Sequence, residues 1–477
     1  MPGSGKMERI QCDLCIIGGG SAGLSVAAGA AQMGARVVLV EAGAMGGDCL
    51  NTGCVPSKAL IAAAQAAAGA RGDQKLGTAS DRPRIDFAAV RAHVHGAIAG
   101  LAPHDSVERF EKLGVRVIAA RAAFVSRDAV EAGSCRITAR RFVVATGSRA
   151  ALPPISGLAE ARPLTNESVF DLADLPDHLI VVGGGPIGLE MAQAFHRLGS
   201  RVTVLERARI LPRDEPEAAA VVRQFLRSAG IDIREGVEIV SVRRDGAGVG
   251  VAIRDQDSIT GSHLLVAAGR RPNVDDLGLD KAGIAHDAKG ITVDARLRTS
   301  NRRVFAIGDI AGGPQFTHVA GYHAGIVIRN ALLSLPARVH YAALPWVTFL
   351  DPEIAHVGLT EAEARAKAGA VTVLQEPLAG NDRAVTAART EGFIKVIAGR
   401  RGRILGATIV APHAGEMIAL WGLAIGKGLK LSDMAGLLVP YPTLSEISKR
   451  AAGQYYAPTL FGPKVRAIVR AVQRILP

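Results

Sequence analysis

The chain has 477 residues, 48% hydrophobic and 21% charged, a balance that excludes wholesale disorder and predicts about two to four domains. Its 55 glycines lack the every-third-residue period of collagen, and no apolar run reaches the roughly 18 to 20 residues of a membrane-spanning helix. Lys and Arg (56) outnumber Asp and Glu (44), leaving a net charge of +12 that favours anionic ligands or surfaces, while 4% aromatics without interleaved basic residues argue against nucleic acid.

The opening MPGSGKMERI has no secretory hydrophobic region, so a soluble, cytoplasmic protein is expected. The five cysteines are too few and scattered for a disulfide framework. QCDLCII reads as a strand on which Cys12 and Cys15, three apart, face opposite sides; they cannot chelate one metal and read as buried filler, as does Cys135. Residues 16–41, IIGGGSAGLSVAAGAAQMGARVVLVE, pair a strand with a G-x-G-x-x-G turn, an amphipathic helix and a second strand ending in Glu. The pattern returns at 181–206, VVGGGPIGLEMAQAFHRLGSRVTVLE. The glycines are Gly18, Gly20 and Gly23, then Gly183, Gly185 and Gly188. In such a turn the first glycine permits the tight bend, the second lets backbone approach a pyrophosphate, and the third lets helix pack on strand. Glu41 and Glu206 each fall 18 positions after the third glycine, where a carboxylate can accept from ribose hydroxyls. A single glycine turn is weak evidence, because structural turns in an α/β sheet look alike; two in full strand–helix–strand context point to two dinucleotides, typically a flavin and a nicotinamide.

Between the copies lies MGGDCLNTGCVPSKALI. Pro56 suits the first position of the helix that follows, which places Cys54 just before a helix N-terminus whose partial positive charge favours a thiolate. A Cys49–Cys54 disulfide requires the loop containing Gly53 to bend, since a regular helix would hold the two too far apart. Two cysteines without neighbouring His or Cys are short of the four ligands of a zinc site. Two buried, unpaired thiols remain the alternative.

On these residues the sequence resembles the class I flavoprotein disulfide reductases (dihydrolipoamide dehydrogenase, glutathione reductase and mercuric reductase) over about residues 10–455. Gly46 to Lys58 matches the family's redox segment. ITARRFVVATGS, ending near Thr146 and Gly147, resembles the return to the FAD domain, and AAGRRPN, with Gly269, the exit from the nicotinamide domain. VFAIGDIAG, with Gly308 and Asp309, resembles the second flavin motif, and PWVTFLDPEIAHVGLTE the opening of the dimerisation domain. The resemblance implies an α/β, glutathione reductase-like fold with two Rossmann-like dinucleotide-binding domains and an α+β C-terminal dimerisation domain. The FAD domain would comprise 7–152 and 271–340, the NAD(P) domain 153–270 and the interface domain of a homodimer 341–455, followed by a basic tail at 456–477.

The same resemblance implies an FAD-dependent NAD(P)H oxidoreductase that passes electrons to a Cys49–Cys54 disulfide and on to a disulfide or other small acceptor. A mercuric-type metal-ion reductase and a low-turnover flavin redox sensor are the alternatives. Cys54 would be the thiolate beside the flavin and Cys49 the outer thiol that attacks substrate. Lys58 would pair with Glu190, the alternative being a solvated helix residue. Asp309 would bind the ribityl chain, and Gly47 and His318 would lie near the flavin. Glu206 favours NAD(H) over NADP(H), while Arg207 and Arg209 nearby could accept a 2′-phosphate.

One departure matters. In YPTLSE, Tyr441 stands where the disulfide-reducing relatives carry the acid/base His, and Glu446 keeps its place five residues on. A phenol of pKa about 10, against about 6.5 for imidazole, is roughly 5 kcal/mol less basic. It can still donate a proton, or ligate a soft cation as phenolate. Mercuric reductases also lack this His and use tyrosine near the metal, and PQFTHVAGYHAG resembles that branch. Yet no cysteine follows Cys135, so their paired-cysteine tail is missing, as is their N-terminal metal-binding domain. His318 and His413 could serve as proton donors or be structural histidines. Asp48 stands where Thr is commoner and is expected to oppose thiolate formation at Cys49. In KVRAIVRAVQRIL, Val465, Ile468, Val469, Val472 and Leu476 share a helical face, with Lys464, Arg466, Arg470 and Arg474 mostly elsewhere. Such a helix docks on its own dimer, or contacts an anionic membrane or a partner protein.

Overall fold

The computed structural model describes residues 7–78, 80, 83–246 and 248–476; the first six residues of the opening segment lie outside them. Its first sheet is built from near-continuous apolar runs, as strands covered on both faces must be. Parallel strands Val115–Ala119, Val37–Glu41, Glu8–Ile17 and Cys135–Val144 lie side by side, with Ala129–Ala132 and Ala122–Ser126 antiparallel beyond them. Leu14, Ile16 and Leu39 are fully buried there, each contributing about 1.5–3 kcal/mol relative to exposure. Cys12 and Cys15 are buried, but in place of opposite sides they share one apolar cluster with Ile10, Ile17 and Val38.

The sheet is completed from far along the chain. Strand Val304–Ala306 pairs parallel with Cys135–Val144, aligning Val304 with Phe142. Between these two passes the chain forms a second parallel sheet, in the order Asp232–Glu235, Arg201–Glu206, His178–Val182 and His263–Val266. It carries a three-stranded antiparallel layer, Ile239–Asp245, Gly248–Ile253 and Ile259–Gly261. The outgoing and returning chains meet in a short antiparallel pair, Ser148–Ala150 with Arg270–Pro272. A five-stranded antiparallel sheet follows, running from Pro345–Thr348 to Thr372–Pro377, and helix Ala414–Gly426 buries Trp421 against it.

Two contacts fix these sheets relative to one another. Helix Cys54–Ala70 packs through Leu60, Ala64 and Ala67 onto Leu189, Ala192 and Phe195 of helix Pro186–Leu198. Lys395, on strand Phe393–Ala398, is 2% exposed and reaches Glu215, Glu217 and Glu361 at 3.0, 3.1 and 2.6 Å. An unpaired buried carboxylate is costly, so removing Lys395 strands Glu215, itself 2% exposed. Lys395→Met should lower the stability of the C-terminal sheet's junction by about 3 to 5 kcal/mol, read as an earlier midpoint in urea denaturation; an unchanged midpoint would show that this cluster is not a clamp.

A candidate redox site where helices begin

In both glycine turns the three glycines meet three different environments. Gly18 and Gly183 have φ of +109° and +113°, and a Cβ there would lie 2.3 and 2.5 Å from the carbonyl oxygens of Ala145 and Ala267. A Cβ on Gly23 or Gly188 would strike the carbonyl of Gly18 or Gly183 at 1.8 and 2.0 Å. At Gly20 a Cβ would meet nothing nearer than 3.7 Å, and at Gly185 nothing within 4 Å. The first and third positions are therefore locked by backbone, and the second is open. Gly20 and Gly185 are the N-caps of helices Ser21–Gln32 and Pro186–Leu198, which have no side-chain cap and no acid in the first turn. Such ends suit a diphosphate. Glu41 accepts from the N–H groups of Gly19 and Gly43, and Glu206 from those of Gly184 and Ala208 at 2.7 and 2.9 Å, which aims each carboxylate at its turn.

The cysteine segment is two helices. Gly47–Asn51 carries Cys49, Gly53 breaks the run with φ −128° and ψ −113°, and Cys54 opens Cys54–Ala70. The helix thus starts at Cys54, not at Pro56: Gly53 takes the cap position, and proline is tolerated inside the first turn, where its missing N–H would have no helical partner. Both cysteines are free thiols, Cys54 open to a cleft and Cys49 half-buried. Cys54 Sγ lies 3.4 Å from Oγ1 of Thr317, the first residue of helix Thr317–Ala331. Cys54, Thr317 and Ser21, the first residue of helix Ser21–Gln32, are the neighbours that act on the Cys49 thiol. Three uncapped helix N-termini therefore converge on one pair of sulfurs.

This convergence separates the two thiols. The hydrogen bond from Cys49 lowers the Cys54 pKa to about 6, aided by Thr317 and the Lys58 charge and opposed by desolvation in the cleft and by Asp48. The Cys49 thiol is pushed well up, chiefly by that same hydrogen bond and by burial. Asp48, expected to act against Cys49, instead raises Cys54. Much of its charge is taken up by Asn166 at 2.7 Å, Thr52 at 2.9 Å and Arg270 at 3.2 Å.

Lys58 is not a solvated helix residue. Its Nζ lies 2.7 Å from Glu190 and 4.4 Å from the centre of the Phe349 ring, and Glu190 also accepts from the Phe349 N–H at 2.9 Å. Asp309 accepts from Ser148 Oγ at 2.5 Å, and Arg270 donates to the same hydroxyl at 2.7 Å. His318 stacks on Phe316 and contacts the Pro345 carbonyl at 2.9 Å. A single cleft of about 2820 Å³ runs from Gly18, Gly20 and Glu41 past both cysteines to Gly183, Gly185 and Glu206. Gly47, Thr146, Gly147, Gly269, Gly308 and His318 also line it. The open second glycines and the uncapped helix ends fit two extended dinucleotides, with the sulfur pair between them.

Tyr441 and Glu446 lie elsewhere and do not line this cleft. Tyr441 is 70% exposed, and its hydroxyl donates to Asp382 at 3.0 Å, which raises the phenol pKa. Asp382 also pairs with Arg450 at 3.2 Å. Glu446 Oε2 is buried with no hydrogen-bond partner among the described residues. His413 caps helix Ala414–Gly426 in a left-handed conformation, φ +58°, and does not line the cleft. Sequence reasoning missed Asp382, Thr317, Ser148 and Asn166; a polar residue whose partner lies far along the chain gives no sequence signal of a contact made only through folding.

Residues 12–324 match the family described as pyridine nucleotide-disulphide oxidoreductase, and 344–452 match its dimerisation domain. A mercuric reductase of Streptomyces lividans is 38% identical over 451 residues, 92% of this chain and 95% of the relative. A dihydrolipoyl dehydrogenase of Geobacillus stearothermophilus is 36% identical over 459 residues, 93% of this chain and 96% of the relative. Among solved structures, LpdA from Mycobacterium tuberculosis superposes with a TM-score of 0.86 at 30% identity, covering 94% of this chain and 99% of that one. The copper(II) complex of the HOCl-induced flavoprotein disulfide reductase RclA from Escherichia coli gives 0.83 at 29%, covering 92% and 99%.

A thiolate forms as pH rises through its pKa. Alkylation of the reduced protein at Cys54 should therefore climb through about pH 6, then level off. Thr317→Val should move that midpoint upward by roughly one pH unit or more, the worth of a hydrogen bond to a charged group. A midpoint near 8.5, the value of an unperturbed thiol, would contradict the assigned environment.

Proposed function

This chain belongs to the pyridine nucleotide-disulphide oxidoreductase family, and on that premise we propose that it draws electrons from NADH and delivers them through Cys49 and Cys54 to an acceptor that requires no imidazole base. The observation that carries this reading is the cleft joining both glycine turns to the sulfur pair. When bound, FAD supplies a two-electron carrier between reduced nicotinamide and the sulfurs. The chain's own residues do the rest. The turns at Gly18–Gly23 and Gly183–Gly188 seat the two diphosphates. Lys58, anchored by Glu190, holds a positive charge beside the sulfurs. Cys54 is kept as thiolate, and Cys49 keeps its proton within reach of it.

To attack a disulfide, the outer sulfur must lose that proton and the departing thiol must gain one. In the disulfide-reducing relatives a His serves both transfers. Here Asp382 holds the Tyr441 hydroxyl as a donor, and Glu446 keeps a buried oxygen with no partner among the described residues, where an imidazole would have supplied one. A phenol that donates but does not accept suits an acceptor whose bond to sulfur is strong enough to release the Cys49 proton to water without a positioned base. A thiophilic metal ion held by two sulfurs is such an acceptor, and this second reading gains support from the mercuric reductases among the relatives. Leu438, Val385 and Leu423 are exposed on the part that matches the dimerisation domain. A homodimer covers such a face and would bring Tyr441 towards the partner copy's sulfurs.

The choice of NADH rests on Glu206, whose carboxylate repels a 2′-phosphate. Glu206→Gln should raise the NADPH-to-NADH ratio of kcat/KM by at least about tenfold, since like-charge juxtaposition costs several kcal/mol; an unchanged ratio would remove the assignment. Tyr441→His should raise the rate of lipoamide or glutathione disulfide reduction by roughly a hundredfold or more, the scale of a positioned general base. Wild-type protein should instead oxidise NADH with Hg(II) and added thiol, and Cys54→Ser should lose this turnover. Rapid disulfide reduction by the wild type, unimproved by Tyr441→His, would defeat the proposal.

A further inference from the structure

The last helix, Pro463–Gln473, is not used by the redox site or by the core. Gly462 caps it in an extended conformation and Pro463 occupies its first turn, but none of its residues is buried. The chain leaves the C-terminal cluster at Tyr455 and Tyr456, which pack edge to face against each other. Beyond them Phe461 is 69% exposed, Ile468 60% and Ile475 84%, with Val469, Val472 and Leu476 also open. An isolated helix of this length is marginal in water, so a surface that covers the apolar stripe would stabilise it.

Charge identifies that surface. On a helical projection Val465, Ile468, Val469 and Val472 form one stripe, Lys464 and Arg466 flank it on either side, and Arg470 and Arg474 lie opposite. No Asp or Glu follows Glu446, while Lys449, Arg450, Lys464, Arg466, Arg470 and Arg474 all do. A second copy of the chain offers the same sign, at +12 net, and the match to the dimerisation domain ends at residue 452, before the helix begins. An apolar stripe flanked by cations, whose stems can lie along apolar surface while their charges reach outward, is the pattern of a helix lying in a lipid interface. No helix among the described residues is long and apolar enough to cross a membrane, so the contact would be peripheral. We propose that residues 457–476 seat this protein on anionic bilayer surfaces, with the Val465–Ile468–Val472 stripe in the acyl boundary, Lys464 and Arg466 on lipid phosphates, and Arg470 and Arg474 adding longer-range attraction from the outer face.

Flotation of the full-length, flavin-loaded protein with vesicles tests this independently of turnover. Mixed phosphatidylglycerol–phosphatidylcholine vesicles at low salt should carry at least about ten times more protein than pure phosphatidylcholine vesicles, as several basic residues near an anionic surface require. Ile468→Asp combined with Val472→Asp should abolish the binding, and so should Lys464→Glu combined with Arg466→Glu. All four positions are exposed, so NADH oxidation in solution should stay intact and report a folded enzyme. Absence of wild-type binding, equal binding to both vesicle types, or binding that survives either double substitution would overturn the proposal. Failure to bind vesicles together with dissociation of the Ile468→Asp, Val472→Asp protein into monomers in sedimentation would assign the stripe to a second copy instead.

Discussion

The sulfur pair sits where three helices begin, and the rest of the site depends on that placement. Ser21, Cys54 and Thr317 each open a helix, and each supplies a polar atom to the cluster. Helix N-termini carry partial positive charge and unsatisfied N–H groups. Three of them at one point favour an anion, and the thiolate at Cys54 meets that requirement from within the chain. Cleft walls and Asp48 work against it. The arrangement holds because Asp48 is engaged by Asn166, Thr52 and Arg270 rather than left to face the sulfur alone.

The same physical device appears at three scales. Each glycine turn delivers an open backbone position and an uncapped helix end to the cleft. The repetition of that unit gives the chain two such ends, and the helix behind Cys54 packs directly on the helix behind the second turn. Lys58 and Glu190 face each other across that packing, so the charge beside the sulfurs is held by the contact that joins the two sheets. The buried Lys395 cluster fastens the second sheet to the C-terminal one in a similar manner. Glycine turns, sulfur pair and clamps are thus one connected set of contacts.

What could be read from the sequence was local or repeated. The two turns, their terminal glutamates and the cysteine spacing are patterns within 26 residues or fewer, and their geometry follows from backbone sterics at particular glycines. The Lys58–Glu190 pair spans 132 positions, and family resemblance alone suggested it. Thr317 stands 263 positions from Cys54, and Asp382 stands 59 from Tyr441. No periodicity links such residues; only the folded chain brings them together. Proline is common at a first helical position, which points to Pro56, whereas Gly53 provides the break three residues earlier and the helix starts at Cys54. The amphipathic tail was legible as a pattern, but its exposure was not, since burial depends on what the fold leaves uncovered.

The account's central claim, that Cys54 is a thiolate held beside bound flavin and fed by reduced nicotinamide, is most directly tested by anaerobic NADH titration of the purified protein with absorbance followed across the visible range. The wild type should be yellow and, after two electrons, should develop a long-wavelength charge-transfer band that Cys54→Ser lacks. A colourless protein, or flavin reduction with no such band in the wild type, would contradict it.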